Sequence, residues 1–488
     1  MSAGRVDGGS RAETVQMRKS KKGDELTEQF DFVVIGAGAA GEAAAQMATA
    51  RGASVAVIER ELVGGSCPFW ACMPSKTLLH AAHLHALGSD HSWQQASDRR
   101  DYMISRQGTD WPDDGGHQRN LEKAGARVIR GEAHIVGPGR VHVRTNGASQ
   151  ELRARNIIVA VGTHSTIPPI DGLADVAAWT NRQATSTREL PRSLLILGGG
   201  PTGLELSQVY ARFGVPVTLV HPHERLNQRD HPRNSAAIAE ALRADGVTVI
   251  TGARAQRVVA GAGPAGEHMV ELSNGSVVRA HEILVAVGRT APLEGLGLEN
   301  AGVDLVDGHL LADGRLRLAD GLWVVGDPAG PEMHTHLGHY QGEMAVRMAL
   351  GDDVSPDYRA IPRAVYTDPE ISGVGLTLDE ARAAGHDAAE YTQDLATTAK
   401  GYVAEAVGHV TIVVDRSRRE LLGAFIAGPA ASEAIHEAVL AVKSHTPLDV
   451  LADTLHAFPT VARVMGSLFV EAARDAGQVT VARPAADD

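Results

Sequence analysis

The chain has 488 residues, of which 43% are hydrophobic, and a formal net charge of −13. This length predicts two to four domains, and the hydrophobic content is enough to fill several cores. Nucleic acids and anionic membranes select basic patches, and no apolar run reaches the roughly 18 residues of a membrane-spanning helix. We therefore expect small-molecule chemistry, with no nucleic-acid partner and no membrane partner.

The first 28 residues are polar and rich in Gly, Ser and Lys. They lack the apolar core of a signal peptide, so the composition predicts a disordered tail over residues 1–28. The chain holds only two cysteines, Cys67 and Cys72, which is too few for a disulfide scaffold. That usage favours a cytoplasmic location and a catalytic or metal-binding role for the pair.

A dinucleotide-binding unit is predicted near the N-terminus. A buried strand over 30–35 leads into Gly36, Gly38 and Gly41, an Ala-rich helix follows over 42–51, and a strand over 54–58 ends at Glu59. In such units the first glycine makes the turn, the second admits a pyrophosphate, and the third lets helix and strand pack closely. The helix N-terminus then faces the phosphates.

The same pattern recurs after residue 190. A strand over 193–197 leads into Gly198, Gly200 and Gly203, and a helix over 204–213 and a strand over 217–220 follow. Two such units indicate two dinucleotide sites, one for a flavin and one for a nicotinamide. The alternative is that the units are structural only.

Further buried strands are predicted over 157–163, 283–289 and 322–327. After residue 358 the pattern changes to antiparallel strands over 409–414 and 421–426, followed by helices over 432–443 and 461–475. This change indicates a separate C-terminal α+β domain.

Cys67 and Cys72 lie in one Gly-flanked loop, about thirty residues after the first glycine turn. We predict a helix beginning at this pair, whose N-terminal N–H groups and dipole favour a thiolate. Lys76 follows Cys72 by four residues and shares its helical face. The alternatives are a structural disulfide or two inert thiols. A zinc site is disfavoured because no second Cys pair or suitably spaced His completes it.

The ordered set of motifs resembles the flavoprotein pyridine nucleotide-disulfide oxidoreductases, over residues 30–479. The motifs that carry the resemblance, beside the two glycine turns, are Gly64-Gly65-Ser66-Cys67-x4-Cys72-Met73-Pro74-Ser75-Lys76, Val287-Gly288-Arg289, Val325-Gly326-Asp327, Tyr366-Thr367-Asp368-Pro369-Glu370 and Leu422-Gly423-Ala424-Phe425-Ile426-Ala427-Gly428-Pro429.

The resemblance implies an α/β fold with two Rossmann-like dinucleotide-binding domains and a C-terminal α+β dimerisation domain. It also implies a homodimer that binds FAD at the first glycine turn and NAD(P)H at the second. The expected domains are an FAD-binding domain over 29–164 and 288–356, an NAD(P)H-binding domain over 165–287, and an interface domain over 357–488.

The resemblance also assigns roles to residues. Cys72 would be the charge-transfer thiolate and Cys67 the interchange thiol. Lys76 would lie near the reactive flavin nitrogen, paired with Glu205. Glu59 would bond the adenosine ribose and Asp327 the ribityl chain. The expected cofactor-binding residues are Gly36, Gly38, Gly41, Glu59, Gly65, Ser66, Lys76, Gly162, Gly198, Gly200, Gly203, Glu205, His221, Gly288, Arg289, Gly326, Asp327 and His336.

Two parts of the sequence depart from the family pattern. The family's C-terminal acid/base is a His oriented by a Glu, and here Phe458 and Arg463 stand at those positions. His456, two residues before Phe458, is the candidate replacement base, and the alternative is a structural histidine. In the dithiol loop, bulky Phe69 and Trp70 replace smaller family residues. They are expected either to pack against the flavin domain or to shape an access channel.

Histidines mark two further places. The second unit's last strand ends at His221, where NAD-preferring relatives carry an acid, and His223, Arg225 and Arg229 follow. These residues favour NADPH and leave NADH possible. His334, His336 and His339 form a cluster that suits metal binding or proton coupling, or else ordinary polar contacts at a helix N-terminus. We assign no metal site.

The sequence therefore predicts a homodimeric FAD-dependent NAD(P)H oxidoreductase with Cys67, Cys72, Lys76, Glu205 and His456 as catalytic residues. Electrons would pass through Cys67 and Cys72 to a small-molecule acceptor: a disulfide, a persulfide or a metal. The first alternative is a quinone or diaphorase-type reductase that discharges from the flavin. The second is a non-catalytic FAD-binding or redox-sensing protein.

Overall fold

A computed structural model describes residues 28–145 and 147–477 of the chain. The predicted N-terminal tail therefore falls, apart from Glu28, outside the described residues. In the described ranges no helix has both the length and the apolar character needed to cross a lipid bilayer.

Short strands and helices alternate along much of the chain. The strands are β1 (Glu28–Ile35), β2 (Val55–Glu59), β3 (Arg127–Arg130), β4 (Glu132–Gly137), β5 (Arg140–Thr145), β6 (Ala148–Val159), β7 (His164–Ser165), β8 (Leu194–Leu197), β9 (Val217–Val220), β10 (Thr248–Ile250), β11 (Ala255–Val259), β12 (His268–Leu272), β13 (Val277–Ala280), β14 (Glu282–Val285), β15 (Arg289–Thr290), β16 (Arg317–Ala319), β17 (Leu322–Val324), β18 (Arg363–Val365), β19 (Glu370–Gly375), β20 (Ala388–Asp394), β21 (His409–Asp415) and β22 (Glu420–Gly428). The α-helices are α1 (Ala39–Ala50), α2 (Ser66–Trp70), α3 (Cys72–Ala86), α4 (Trp93–Met103), α5 (Gly115–Lys123), α6 (Asn181–Ser186), α7 (Pro201–Arg212), α8 (Pro232–Ala244), α9 (Thr335–Ala349), α10 (Leu378–Ala383), α11 (Ala399–Ala404), α12 (Ala431–Ser444), α13 (Leu448–Asp453) and α14 (Val461–Asp475).

The first sheet joins the N-terminal part of the chain to a later segment. Its strand order is β16-β17-β6-β1-β2-β3, and β4 and β5 extend it from β6. Strands β17, β6, β1, β2 and β3 run parallel, in the register Phe32↔Val55 and Leu322↔Ile157. Their side chains alternate between two cores, as the two faces of a covered parallel sheet require. One core lies under helices α1 and α9 and includes Phe32, Val57 and Met344.

The second dinucleotide unit has a parallel sheet of its own, in the order β10-β9-β8-β14, with the antiparallel sheet β11-β12-β13 beside it. The predicted strand over 283–289 was wrong in extent. Strand β14 ends at Val285, and Arg289 belongs to a separate pair of strands, β7 and β15. The predicted strands over 157–163 and 322–327 likewise end early, at Val159 and Val324, and Gly162 and Gly326 adopt a φ of +61° and +75° in the loops beyond them.

The C-terminal region is an antiparallel sheet in the order β18-β19-β22-β21-β20. Helices α12 and α14 pack against it and share a core that includes Ile412, Ile435 and Phe469. The α+β prediction for this region is confirmed, and α14 has the bounds that the sequence predicts.

A buried histidine lies where the second unit meets the C-terminal sheet. His409 begins β21, its Nδ1 lies 2.9 Å from Thr411 Oγ1, and its ring centroid lies 5.9 Å from that of His231. His231 in turn lies 3.1 Å from Glu390 and stacks on Phe425. Burial, together with the nearby His231 and Arg233, lowers the pKa of His409 to about 3.

This histidine predicts an acid-dependent loss of stability. Because its pKa is lowered in the folded chain, the unfolded chain binds the proton first, and stability falls as the pH drops below about 6.5. At pH 5 the loss from this residue is about 2 kcal/mol. Thermal unfolding midpoints measured between pH 7 and 5 should fall less steeply for His409→Gln than for wild type. The exposed His80→Gln is the control. Parallel slopes for wild type and His409→Gln would contradict this assignment.

Candidate active site

The first glycine turn is built for close backbone contact. A Cβ at Gly36 would lie 2.4 Å from the Ala160 carbonyl oxygen, and a Cβ at Gly41 would lie 2.0 Å from the Gly36 carbonyl oxygen. Only a residue without a side chain fits at either position. Gly38, by contrast, caps the N-terminus of α1, and a Cβ there would meet nothing closer than 3.9 Å. The middle glycine is therefore the open side of the turn, where a phosphate group has room to approach the helix.

The second turn repeats this arrangement. A Cβ at Gly198 would lie 2.2 Å from the Ala286 carbonyl oxygen, and a Cβ at Gly203 would lie 1.9 Å from the Gly198 carbonyl oxygen. Gly200 faces open space at the N-terminus of α7. The two turns therefore have the same closed and open positions.

The two units differ in the residue that ends their second strand. In the first unit, Glu59 accepts the backbone N–H of Ala37 at 2.8 Å, and burial raises the pKa of its carboxyl. In the second, Gly199 donates its N–H to Nδ1 of His221 at 3.1 Å. Burial and the neighbouring His223 lower the pKa of His221, so its ring stays neutral at pH 7. The same structural position thus holds a carboxylate in one unit and a neutral imidazole in the other.

The dithiol loop lies directly against the first glycine turn. Gly64 donates its N–H to the Ala37 carbonyl at 2.7 Å, and a Cβ on Gly65 would lie 2.7 Å from Gly38 Cα. Ser66 then begins the short helix α2, which carries Cys67. Cys72 begins α3, so the two helices bring both cysteines beside the open face of the turn.

The two cysteines are present as free thiols with opposite acidities. A hydrogen bond from Cys67 lowers the pKa of Cys72, against the effect of burial, and Thr335 and Lys76 lower it further, to about 6. The same hydrogen bond and burial raise the pKa of Cys67 far above its usual range. The hydrogen bond between the two sulfurs therefore favours the thiolate on Cys72 and the proton on Cys67.

Lys76 and the buried Glu205 form an ion pair beside Cys72. The Lys76 ammonium lies 2.9 and 2.8 Å from the two Glu205 oxygens, and Glu205 is 3% exposed. Burial opposes the Lys76 charge, but Glu205 outweighs it and the pKa of Lys76 stays above its ordinary value. Tyr366 completes the site: its N–H bonds Glu205 at 3.1 Å, and its ring lies 4.7 Å from the Lys76 ammonium.

The N-terminus of α9 also reaches the dithiol. Thr335, its first residue, places Oγ1 3.5 Å from the Cys72 sulfur. The neighbouring His334 and His336 rings stack at 5.0 Å, His334 bonds Glu332, and His336 bonds the Pro362 carbonyl. Within residues 28–145 and 147–477, no group of three or more His, Cys, Asp or Glu side chains is arranged to hold a metal ion.

Three separate loops meet where the first sheet ends. Arg289 donates to Thr163 Oγ1 at 2.6 Å and to its carbonyl at 2.8 Å, and Thr163 in turn bonds Asp327. Gly162, Gly288 and Gly326 are the chain neighbours of these three residues. The structure thus brings together the segments around Gly162, Arg289 and Asp327 that the motifs single out.

The bulky residues of the dithiol loop are packing residues. Phe69 and Trp70 are buried in one cluster with Leu62 and Ile104. The Trp70 carbonyl accepts a bond from Asn181 at 2.7 Å, which ties this loop to α6. Of the two alternatives for Phe69 and Trp70, the structure supports packing.

The C-terminal segment encloses the candidate base His456. The His456 side chain is 5% exposed, its Nε2 lies 2.8 Å from Glu437, and its ring fills the space above Gly466. Phe458, at the family's base position, is 74% exposed. The prediction that His456 acts as a catalytic base has no support from this placement, because the ring is enclosed and bonded within its own domain.

Comparison with known proteins defines the class. Residues 30–342 match the family model described as pyridine nucleotide-disulphide oxidoreductase, and residues 361–468 match the dimerisation domain of the same family. The chain belongs to the pyridine nucleotide-disulphide oxidoreductase family. It is a flavoprotein oxidoreductase of the kind that uses FAD, NAD(P)H and a redox-active disulfide, as the sequence predicts.

Individual relatives fall into several activity groups. A dihydrolipoyl dehydrogenase of Chlorobaculum tepidum is 31% identical over 94% of this chain and 100% of its own length. A mercuric reductase of Streptomyces lividans is 32% identical over 89% of this chain and 94% of its own. The structure of a Cu(II) complex of the HOCl-induced flavoprotein disulfide reductase RclA from Escherichia coli matches with a TM-score of 0.81 and 26% identity, over 91% and 99% of the two chains.

Three contributors to the site were not found in the sequence. Thr163, Thr335 and Tyr366 come from segments far along the chain from the residues they contact. Tyr366 lies inside a motif that carries the resemblance, and Thr335 lies between two noted histidines. These positions could have marked the two residues as candidates, but their contacts with the dithiol and with Lys76 depend on the fold.

Proposed function

We propose that this chain is an FAD-dependent NAD(P)H oxidoreductase that passes electrons through Cys67 and Cys72 to a disulfide, persulfide or metal acceptor. The observation that carries the proposal is the environment of Cys72. The start of α3, the Cys67 thiol, Thr335 and the Lys76 cation together favour a thiolate on this sulfur. A thiol with a purely structural role would not require these groups around it.

The residues around the first glycine turn fit FAD. The turn is closed at Gly36 and Gly41 and open at Gly38, so its free side is shaped for a pyrophosphate at a helix N-terminus. A cleft beside it is lined by Gly36, Glu59 and Arg60, where an adenosine would find a carboxylate. When bound, FAD supplies two-electron transfer between NAD(P)H and a dithiol. We assign Glu59 to the adenosine ribose and Asp327 to the ribityl chain.

We assign the remaining roles to residues of the chain itself. Cys67 carries the proton of the pair and serves as the interchange thiol, which attacks the acceptor once that proton is removed. Cys72 holds the negative charge, and Lys76, fixed by Glu205, balances it. The C-terminal domain contributes through Tyr366, which covers Lys76 and bonds Glu205.

The acceptor class follows from the thiolate and from the relatives. A dithiol whose sulfurs can form thiolates exchanges with disulfide sulfur and binds soft metal ions. The related proteins include dihydrolipoyl dehydrogenases and mercuric reductases. Phe458 cannot accept a proton, so we propose that turnover of the family's usual disulfides by the usual route is slow.

A second candidate function is quinone or diaphorase-type reduction that discharges from the flavin. The observation that favours it is the enclosed His456 ring, which leaves the C-terminal segment without an acid/base for a thiol substrate. In this alternative, Cys67 and Cys72 take no part in turnover.

An acceptor panel separates the two candidates. Purified, FAD-loaded protein is assayed for NADPH oxidation with an alkyl disulfide, a glutathione persulfide, Hg(II), Cu(II) and menadione. The same panel is repeated after alkylation of the NADPH-reduced thiols with iodoacetamide. The proposal predicts turnover with at least one of the first four acceptors, lost on alkylation. Turnover with menadione alone, unchanged by alkylation, would move the assignment to the second candidate.

We also propose that NADPH is the preferred coenzyme and that NADH is a poorer one. His221 occupies the position of Glu59 but has no negative charge to repel a 2′-phosphate, and His223 and Arg225 follow it. Replacing His221 with Asp should therefore shift the ratio of kcat/KM values towards NADH by about tenfold or more, which is about 1.4 kcal/mol. His309→Asp, the same change at an exposed histidine outside the second dinucleotide unit, is the matched control. A wild-type preference for NADH would contradict the proposal.

A further inference from the structure

The protonated Cys67 needs a base, and this inference rests on the function proposed above. For Cys67 to attack a disulfide, its proton must leave, and the thiolate expelled from the acceptor must then gain one. Phe458 has no group that transfers protons, and His456 is enclosed and bonded to Glu437. Neither residue therefore offers a free group for this proton transfer, and the candidates that remain are side chains nearer the dithiol.

One imidazole paired with a carboxylate lies next to the residue that contacts Cys72. His334 is the N-cap of α9 and immediately precedes Thr335, whose Oγ1 lies 3.5 Å from the Cys72 sulfur. Its Nε2 lies 2.8 Å from Glu332 Oε2. The side chain of His334 is 26% exposed, so it is held in place and still open to a substrate.

The charges around this pair favour the ionised form of Glu332. Glu332 faces Arg363 at 3.5 Å as well as His334, and the pKa of its carboxyl is lowered despite burial, with Arg229 contributing. An ionised Glu332 accepts a hydrogen bond from the Nε2–H group of His334. The Nδ1 atom of the same ring is then left for proton transfer.

The neighbouring His336 is occupied differently. Its Nε2 bonds the Pro362 carbonyl at 3.0 Å, and burial together with His334 and His436 lowers its pKa. Its ring is stacked on that of His334 and, unlike His334, makes no hydrogen bond to a carboxylate. His334 is the member of the histidine cluster that has the partner an acid/base requires.

We propose that His334, oriented by Glu332, is the acid/base for thiol–disulfide exchange at Cys67, supplied by the same chain as the dithiol. His334 takes the Cys67 proton, the Cys67 sulfur bonds one acceptor sulfur, and the acceptor S–S bond breaks. The protonated His334 gives its proton to the expelled thiolate. Cys72 then attacks Cys67, a second thiolate leaves and takes a proton from water, and the Cys67–Cys72 disulfide forms. One acceptor disulfide is reduced to two thiols as the dithiol is oxidised.

The test uses single turnover of full-length FAD-loaded protein, reduced beforehand with dithiothreitol and desalted. The reduced protein is mixed with hydroxyethyl disulfide, whose thiolate is strongly basic, or with dithionitrobenzoate, whose thiolate leaves without a proton. We expect His334→Gln to lower the rate of reaction with the alkyl disulfide by on the order of 10²-fold or more. The rate with the aromatic disulfide should fall much less. In His334→Gln, the rate with the alkyl disulfide should depend less on pH than in wild type. The rate of Glu332→Gln with this disulfide should lie between those of His334→Gln and wild type. His339→Gln, on the exposed face of the same helix, is the control.

The outcomes separate this inference from the proposed function. A His334→Gln protein that reacts with both disulfides like wild type, across the pH range, would overturn the inference and leave the proposed function standing. Equal slowing with both disulfides would also overturn the acid role, because it indicates a general disturbance of the site. A wild-type dithiol that reacts with neither disulfide would defeat the proposed function, and the inference with it.

Discussion

Replacing Cys72 with serine is expected to lower NADPH-dependent reduction of a disulfide or metal acceptor by on the order of 10³-fold or more. A serine hydroxyl stays protonated at neutral pH and cannot close a disulfide with Cys67, so each reduced pair loses both its thiolate and its resolving sulfur. Cys67→Ser should lose the same activities, because it removes the attacking sulfur. The measurement is the steady-state rate with each acceptor, together with FAD content.

The control for this result is Thr77→Ala, five residues beyond Cys72 on α3, whose half-buried side chain donates to the Met73 carbonyl. If Cys72→Ser kept its reduction of disulfides and metals, the dithiol would be outside the electron path. A variant that lost those activities but kept menadione reduction would show that quinones are served by a separate, thiol-independent route.

Replacing Lys76 with methionine is expected to destabilise the protein by about 1–3 kcal/mol, because it leaves the buried Glu205 carboxylate without its partly solvent-exposed cation. Urea unfolding of Lys76→Met, Glu205→Gln and the double variant measures this. Removing both charges leaves no unpaired ion, so the double variant should be more stable than Lys76→Met. If Lys76→Met were as stable as wild type, solvation by water would be enough to stabilise the Glu205 carboxylate without its cation.

The same substitution has a second effect, on the dithiol. Lys76 is one of the groups that lower the pKa of Cys72 to about 6, so its loss should move the pH midpoint of Cys72 alkylation upward. Glu205→Gln, which leaves the cation in place, should move the midpoint the other way or leave it unchanged. Opposite directions in the two variants would separate charge effects from a general change in packing.

The sequence predicts features whose chemistry is local. Glycine turns can be predicted because the missing side chain is itself the signal, and the contacts at Gly41 and Gly203 give its physical reason. Lys76 was found because it lies one helical turn beyond Cys72. In both cases the residues that explain each other lie within a few positions along the chain.

The rest of the site depends on contacts between distant segments. Thr335 lies 263 residues from Cys72, and Thr and Tyr carry no chemistry rare enough to mark them in advance. The enclosure of His456 by Glu437 and Gly466 likewise follows from how α12 and α14 pack, which no local pattern encodes. The pairing of His334 with Glu332 is different, because the two residues lie only two positions apart and a local pattern could have indicated it.

The most direct test of the account is an anaerobic titration of FAD-loaded protein with NADPH, followed by alkylation and counting of the cysteines. We expect the first equivalent of NADPH to make both Cys67 and Cys72 available for alkylation and to produce a long-wavelength absorbance from the Cys72 thiolate, while the main flavin absorbance is largely retained. Loss of the flavin absorbance at the first equivalent, with no change in the cysteines, would contradict it.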